Sequence, residues 1–265
     1  WLWRRQLALL LQNPLPTLLS AVQRILVFTI LAFIYFQIPE YSAFNTVRIR
    51  FSVFLFITVN QASLILAITV PTITGIRPIL ERERLSFTFR ISAYFVAKIL
   101  LDLPISIMVA TVTSFIVYYI TGLRQDSFTR FFLFWVIVQL EVYTVTGVGM
   151  FVSCLSKNQP VRDALSIVIF LTMFMFGGYQ IQNLLEVTWI LRWIQFLSPV
   201  YYTYVALLLN EFEGMPSGDS VITQYKLSLI GIWPAMCALF GIGSGFFLLA
   251  YVALRITTKP QRILF

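Results

Sequence analysis

The stretch Phe51–Ile76, FSVFLFITVNQASLILAITVPTITGI, runs 26 residues without a charge, and Arg77–Arg90, RPILERERLSFTFR, follows it at once with six charges in fourteen residues. At about 1.5 Å of rise per residue, the first stretch is long enough to cross a hydrocarbon core of about 30 Å. The second is too polar to enter one. An apolar run of spanning length that ends on a charged segment reads as a transmembrane helix reaching an aqueous face, and the rest of the chain repeats the pattern. Leu103–Leu123, Ala164–Leu185 and Leu227–Leu254 carry no charge; Thr17–Ile38 tolerates Arg24, and Phe131–Ser156 tolerates Glu141. The expectation is an all-α membrane protein with six transmembrane helices, at 17–38, 51–76, 91–123, 131–156, 164–185 and 227–254.

Composition supports this reading. The 265 residues are 59% hydrophobic and 11% charged, with a mean hydropathy of +0.85, whereas soluble domains are roughly 45–50% apolar and about 25% charged. Two cysteines, Cys154 and Cys237, both in or beside apolar runs, build no disulfide framework. Histidine, the commonest general base and metal ligand, is absent. With no metal-ligand spacing and no nucleophile–base pair, the chain is not expected to be an enzyme by itself. The net charge of +8 is spread singly or in short groups between apolar runs, as topology signals are, so no nucleic-acid partner is expected.

Lys and Arg on alternate sides of the six runs set the orientation. Eleven (Arg4, Arg5, Arg77, Arg82, Arg84, Arg90, Lys157, Arg162, Arg255, Lys259, Arg262) face six (Arg48, Arg50, Arg124, Arg130, Arg192, Lys226), which puts both termini in the cytoplasm of a multi-pass protein. Residues 1–16 mix a basic pair with apolar positions and suit an amphipathic helix on the cytoplasmic surface; residues 255–265 form a cytoplasmic tail. The external segment Glu186–Lys226 is rich in Trp and Tyr and is expected to form short re-entrant helices at the interface. The chain opens on Trp1 without an initiator Met, which reads as part of a longer polypeptide.

Several local patterns then occur in order. Arg5-Gln6 and Asn13-Pro14 precede the first span, and Asn60-Gln61 lies in the second. Pro78-x-x-Glu81-Arg82-Glu83-Arg84, Ser92-x-Tyr94-Phe95-x-x-Lys98 and Asp102-Leu103-Pro104 follow. Phe176-Gly177-Gly178-Tyr179 ends the fifth span, and Trp193-Ile194-x-x-Leu197-Ser198-Pro199-x-x-Tyr202 runs on to Asn210-Glu211-Phe212. At these topological positions the set resembles the membrane domain of ABC transporters of the G subfamily, the White and pleiotropic-drug-resistance type, over nearly the whole chain. The resemblance implies an exporter of lipids, sterols or other hydrophobic or amphipathic small molecules. Two such membrane domains, as a homo- or heterodimer, would alternate a cavity on their axis between the two sides. It also implies a nucleotide-binding domain in cis or in trans that holds ATP and Mg. No G-x-x-x-x-G-K-[ST] phosphate loop occurs here, so this chain is expected to bind no cofactor itself. The alternative is a motor-less structural membrane subunit of a larger assembly that retains the fold.

Arg77–Arg90 reads as a cytoplasmic coupling helix, with Glu81, Arg82, Glu83 and Arg84 pairing with the ATPase domain; the plainer alternative is a positive-inside loop. The resemblance places Asn60 and Ser63 on the second span, with Phe170 and Phe174 on the fifth, in the substrate cavity, although polar glue and core aromatics have the same composition. Relatives plug the cavity with a bulky apolar pair where this chain has Tyr179 and Gln180, an aromatic and partly polar gate.

Besides Arg24, three charged groups lie within the spans. Lys98 and Asp102, four apart, share a helix face and can pair, either as structure or as part of a polar relay. Glu141, at mid-span, costs at least about 2.5 kcal/mol to insert and needs a partner. Gln139, Thr144, Thr146 and Lys98 are the available groups. A relay that responds to substrate and a protonated carboxyl making one interhelical hydrogen bond both remain open. Gly241-x-x-x-Gly245 is expected to mark close helix packing in the sixth span.

Overall fold

The structure, a computed structural model, describes residues 11–12, 14–38, 44–85, 91–156, 158–179, 189–214, 222–223 and 230–257; in the second helix the side chains are described over 47–71. Among these residues lie eight α-helices and no strand: α1 Leu15–Ile34, α2 Phe44–Leu85, α3 Ile91–Ile120, α4 Phe128–Leu155, α5 Gln159–Met175, α6 Trp189–Leu197, α7 Pro199–Phe212 and α8 Ile232–Thr257. Five are long and apolar enough to cross a membrane: α1, α2 over Val47–Pro71, α3 over Ser92–Ile120, α4 and α8. Leu18, Val22, Leu26 and Ile30 on α1, with Leu248 and Val252 on α8, stand exposed, the apolar surface a helix presents when its solvent is lipid. The expected amphipathic helix over 1–16 falls almost wholly outside the described residues.

Three expected boundaries are corrected. The second span does not stop at Ile76, because α2 continues unbroken for 42 residues, from Phe44 to Leu85. Arg48 and Arg50, expected in a loop, are therefore helical, and Arg50 is buried. The fifth span, expected over 164–185, is a 17-residue helix that starts at Gln159 and ends at Met175. At about 1.5 Å per residue it reaches about 25 Å. Pro160 and Arg162 belong to its first turn, and the Arg162 Nη1 donates to the Ser156 carbonyl at 3.0 Å. Its end is set by Gly178, whose φ of +89° is a left-handed conformation that only glycine adopts freely.

The third correction concerns the aromatic loop. It is helical rather than open, and α7 is buried along its whole length, packed against α2, α4, α5 and α8. Ser198 and Pro199 start it, and the Ser198 hydroxyl donates to the Met173 carbonyl at 3.0 Å, tying the helix to the end of α5. The glycine pair makes this close approach possible. A Cβ on Gly177 would lie 2.8 Å from the Val200 side chain, and one on Gly178 would lie 2.8 Å from the Tyr201 ring.

α4 is the central helix, in contact with α2, α3, α5, α7 and α8. Ser127 caps it by accepting from the Thr129 N–H at 3.3 Å. Its contact with α8 runs through Gly147 and Gly243, not through Gly241 and Gly245. A Cβ on Gly243 would stand 2.6 Å from the Tyr143 ring, and one on Gly147 would stand 2.9 Å from the Gly243 carbonyl oxygen, while positions 241 and 245 meet nothing within 4 Å. Positions 241 and 243 are about 200° apart around the helix, so the expected four-residue spacing marked the wrong face.

Candidate functional site

α2 and α5 lie side by side. On α2, Asn60 and Ser63 are half-buried and share a face with Phe56, which is 46% exposed. Both side chains satisfy themselves locally: Asn60 Nδ2 donates to the Phe56 carbonyl at 2.8 Å, and Ser63 Oγ donates to the Asn60 carbonyl at 2.9 Å. Each keeps a carboxamide or hydroxyl oxygen for a further donor. Phe170 is half-buried against the cluster of Ala62, Leu66 and Met173, while Phe174 packs on the larger cluster around Tyr204 and Phe54. The expected cavity residues thus sit on adjoining helices, the polar pair on α2 and the aromatic pair on α5.

An aromatic group surrounds the α5 terminus. Tyr179 meets Tyr204 edge-on at 6.4 Å, Phe51 lies 6.3 Å from Tyr204 and 5.7 Å from Phe212, and Tyr35 lies 6.2 Å from Phe56. Gln180, the second expected gate residue, lies outside the described residues. The side chains of Glu81, Arg82, Glu83 and Arg84 do too, although their backbone forms the last turns of α2.

The relay residues are not brought together. Lys98 and Asp102 form the expected ion pair, at 3.0 Å. Glu141 is 0% exposed, and neither carboxyl oxygen has a hydrogen-bond partner among the described residues. The groups expected to serve it are engaged elsewhere. Thr144 donates to the Leu140 and Leu239 carbonyls, Thr146 to the Val142 carbonyl, Gln139 Nε2 to the Thr111 hydroxyl, and Lys98 to Asp102. Threonines inside helices bond readily to the carbonyl four residues back, and Gln139 sits about 200° around the helix from Glu141.

A buried polar hub emerges that no local spacing announced. Glu211, at the end of α7, takes the Arg50 guanidinium of α2 in an ion pair with both side chains almost fully buried. The same carboxylate accepts from the Arg124 N–H at 3.2 Å. Arg124 and Arg130 donate to the Glu213 carbonyl at 2.8 and 2.9 Å, and Arg130 also donates to the Asn210 carbonyl at 2.9 Å. Asn210 Nδ2 returns a bond to the Arg130 carbonyl at 3.0 Å. Two arginines therefore satisfy carbonyls at the α7 C-terminus, where the helix dipole favours cations. Arg50 and Glu211 are 161 residues apart, so the only sign in the sequence is Asn210-Glu211-Phe212 itself.

A bundle of spanning-length helices with an apolar outer surface and a buried Arg50–Glu211 ion pair is an integral membrane domain. The ABC-2 type transporter family matches residues 1–212, and the chain belongs to that family. Among its relatives, ABC transporter G family member 22 of Arabidopsis thaliana is 28% identical over 74% of this chain and 26% of its own length. Protein white of Drosophila melanogaster is 26% identical over 99% of this chain and 38% of its own. The broad substrate specificity ATP-binding cassette transporter ABCG2 of Bos taurus is 26% identical over 81% and 32%. These names agree with the G-subfamily motifs, and the chain spans well under half the length of each relative.

Proposed function

We propose that the chain is the membrane-spanning half of an ATP-driven exporter of lipids, sterols or other hydrophobic and amphipathic compounds, working as a pair of such domains by alternating access. In this reading α5 is a short fifth span, which makes six in all, and both termini are cytoplasmic. α6 and α7 form a re-entrant pair, the hub lies at the external side, and Tyr179 and Gln180 gate the exit. ATP and Mg belong to a nucleotide-binding domain in cis or in trans.

The observation that carries the reading is the continuity of α2. One unbroken helix holds Arg50 of the hub, Asn60 and Ser63 of the candidate cavity, and Glu81 to Arg84. The 21 positions from Asn60 to Glu81 measure about 32 Å along the axis. Movement at the charged end therefore reaches the cavity along one continuous helix rather than through a loop, with Pro71 and Pro78 as the places where that helix can bend. The half-exposed Asn60, Ser63, Phe170 and Phe174 offer few polar atoms on a mostly apolar surface, which suits amphipathic molecules and suits sugars or ions poorly.

The test is Glu81→Arg in the full-length transporter in proteoliposomes. Truncating or reversing one partner of a desolvated pair costs about 2–5 kcal/mol, so basal ATP turnover should persist while substrate stimulation and transport disappear. Intact stimulation would remove the coupling role and favour the structural-subunit reading.

A further inference from the structure

We propose that α7 is a strut that sets the separation of the hub-side ends of α2 and α5, with the Glu211–Arg50 ion pair as its releasable lock. Each end of the helix is fastened to one of the two helices that carry the candidate cavity residues. At its start, Ser198 holds the Met173 carbonyl at 3.0 Å, and the Gly177-Gly178 turn admits Val200 and Tyr201 at a distance no larger residue would allow. At its finish, Glu211 holds Arg50 of α2. Between these points all fourteen residues are buried, so the helix moves as a unit with its neighbours. A helix of fourteen residues spans about 21 Å and bends little over that length.

The two fastenings differ in kind. The α5 end is steric and hydrogen-bonded and depends on glycine geometry. The α2 end is an ion pair, and it can part only if water or another group takes over both charges, because an uncompensated buried charge is strongly unfavourable. Widening the hub end therefore requires hydration of Arg50 and Glu211. The anchoring of Asn210 and Glu213 by Arg130 of α4 and by Arg124 of the α3–α4 connection keeps α7 in place when the pair opens, so the released movement is that of the hub end of α2.

The experiment measures spin-label distances in the full-length transporter in nanodiscs, without nucleotide or substrate, after replacing Cys154 and Cys237. One pair of labels sits at the hub end, at Ser52→Cys on α2 and Met175→Cys on α5. A second sits at the opposite end, at Ala67→Cys and Val161→Cys. Labelled protein is diluted into unlabelled protein so that distances within one chain are read. Arg50→Met and Glu211→Gln should shift the hub-end distance longer and broaden it, leave the other pair unchanged, and Arg50→Lys should return it towards the original. Folded variants that keep the original hub-end distance, or that shift both pairs alike, overturn the strut. If Glu211→Gln and Arg50→Met yield no folded protein, Ser198→Ala combined with Gly177→Ala, whose Cβ would meet the Val200 side chain at 2.8 Å, loosens both parts of the α5 fastening and must lengthen the hub-end distance. The proposal takes from the transport reading only that α2 and α5 flank the cavity. Its failure appears in these distances, and failure of that reading appears in substrate-stimulated hydrolysis.

Discussion

Glu141 combines complete burial with two carboxyl oxygens that have no hydrogen-bond partner among the described residues. Leaving a buried polar group unsatisfied costs about 1–3 kcal/mol, and replacing it with an apolar group of similar shape recovers that cost. Glu141→Met should therefore raise stability by about 1–3 kcal/mol, seen as a higher melting temperature in detergent. If the carboxyl is the relay proposed for it, transport falls in the same variant while stability rises; unchanged transport would reduce Glu141 to a packing position. That this residue stood out in the sequence follows from the rarity of a charge in mid-span. Its partners were illegible because the nearby threonines are consumed by their own helix, a choice that depends on rotamers and not on spacing. Arg50 and Arg162 show the opposite failure: charges beside apolar runs read as water-facing, yet both are buried.

At the scale of elements, the α4–α8 contact separates two kinds of glycine. Gly243→Ala drives a methyl into the Tyr143 ring and the Thr144 backbone, and such overpacking costs about 1–3 kcal/mol. Gly241→Ala and Gly245→Ala meet open space and should be neutral or gain up to about 1 kcal/mol of helix propensity. Thermal unfolding of the three variants checks the assignment, and a destabilised Gly241→Ala would contradict it. Counting charges located α1, α3, α4 and α8 to within a few residues at most ends, because apolar length is a strong one-dimensional signal. The same rule overran α5, since a glycine pair ends a helix without a charge, and it divided α2, since a helix that leaves the membrane can stay helical through charged residues.

For the whole molecule, the orientation drawn from the Lys and Arg bias makes a direct prediction. With Cys154 and Cys237 replaced, an impermeant thiol reagent applied to intact cells should label Glu213→Cys and leave Arg84→Cys unlabelled until the membrane is permeabilised. Labelling of position 84 in intact cells would invert the molecule. The α2–α5 pairing was legible only through resemblance to a family, since nothing in either helix alone says which neighbour it meets. Of the hub only Asn210-Glu211-Phe212 stood out, and its pairing with Arg50 was not legible, because the two charges come from helices far apart in the chain.

The burial of α7 also has a consequence in time. Arg50 leaves the ribosome 161 residues ahead of Glu211, an interval of roughly 8–30 s at ordinary elongation rates. α8, which covers α7, is made later still. During synthesis the arginine must wait in water or among headgroups, and α7 must wait beside an incomplete bundle. The ion pair therefore closes late: the early arginine can be withdrawn from water only once α7 has been made and docked against α2, α4 and α5, and α8 then covers what is already paired.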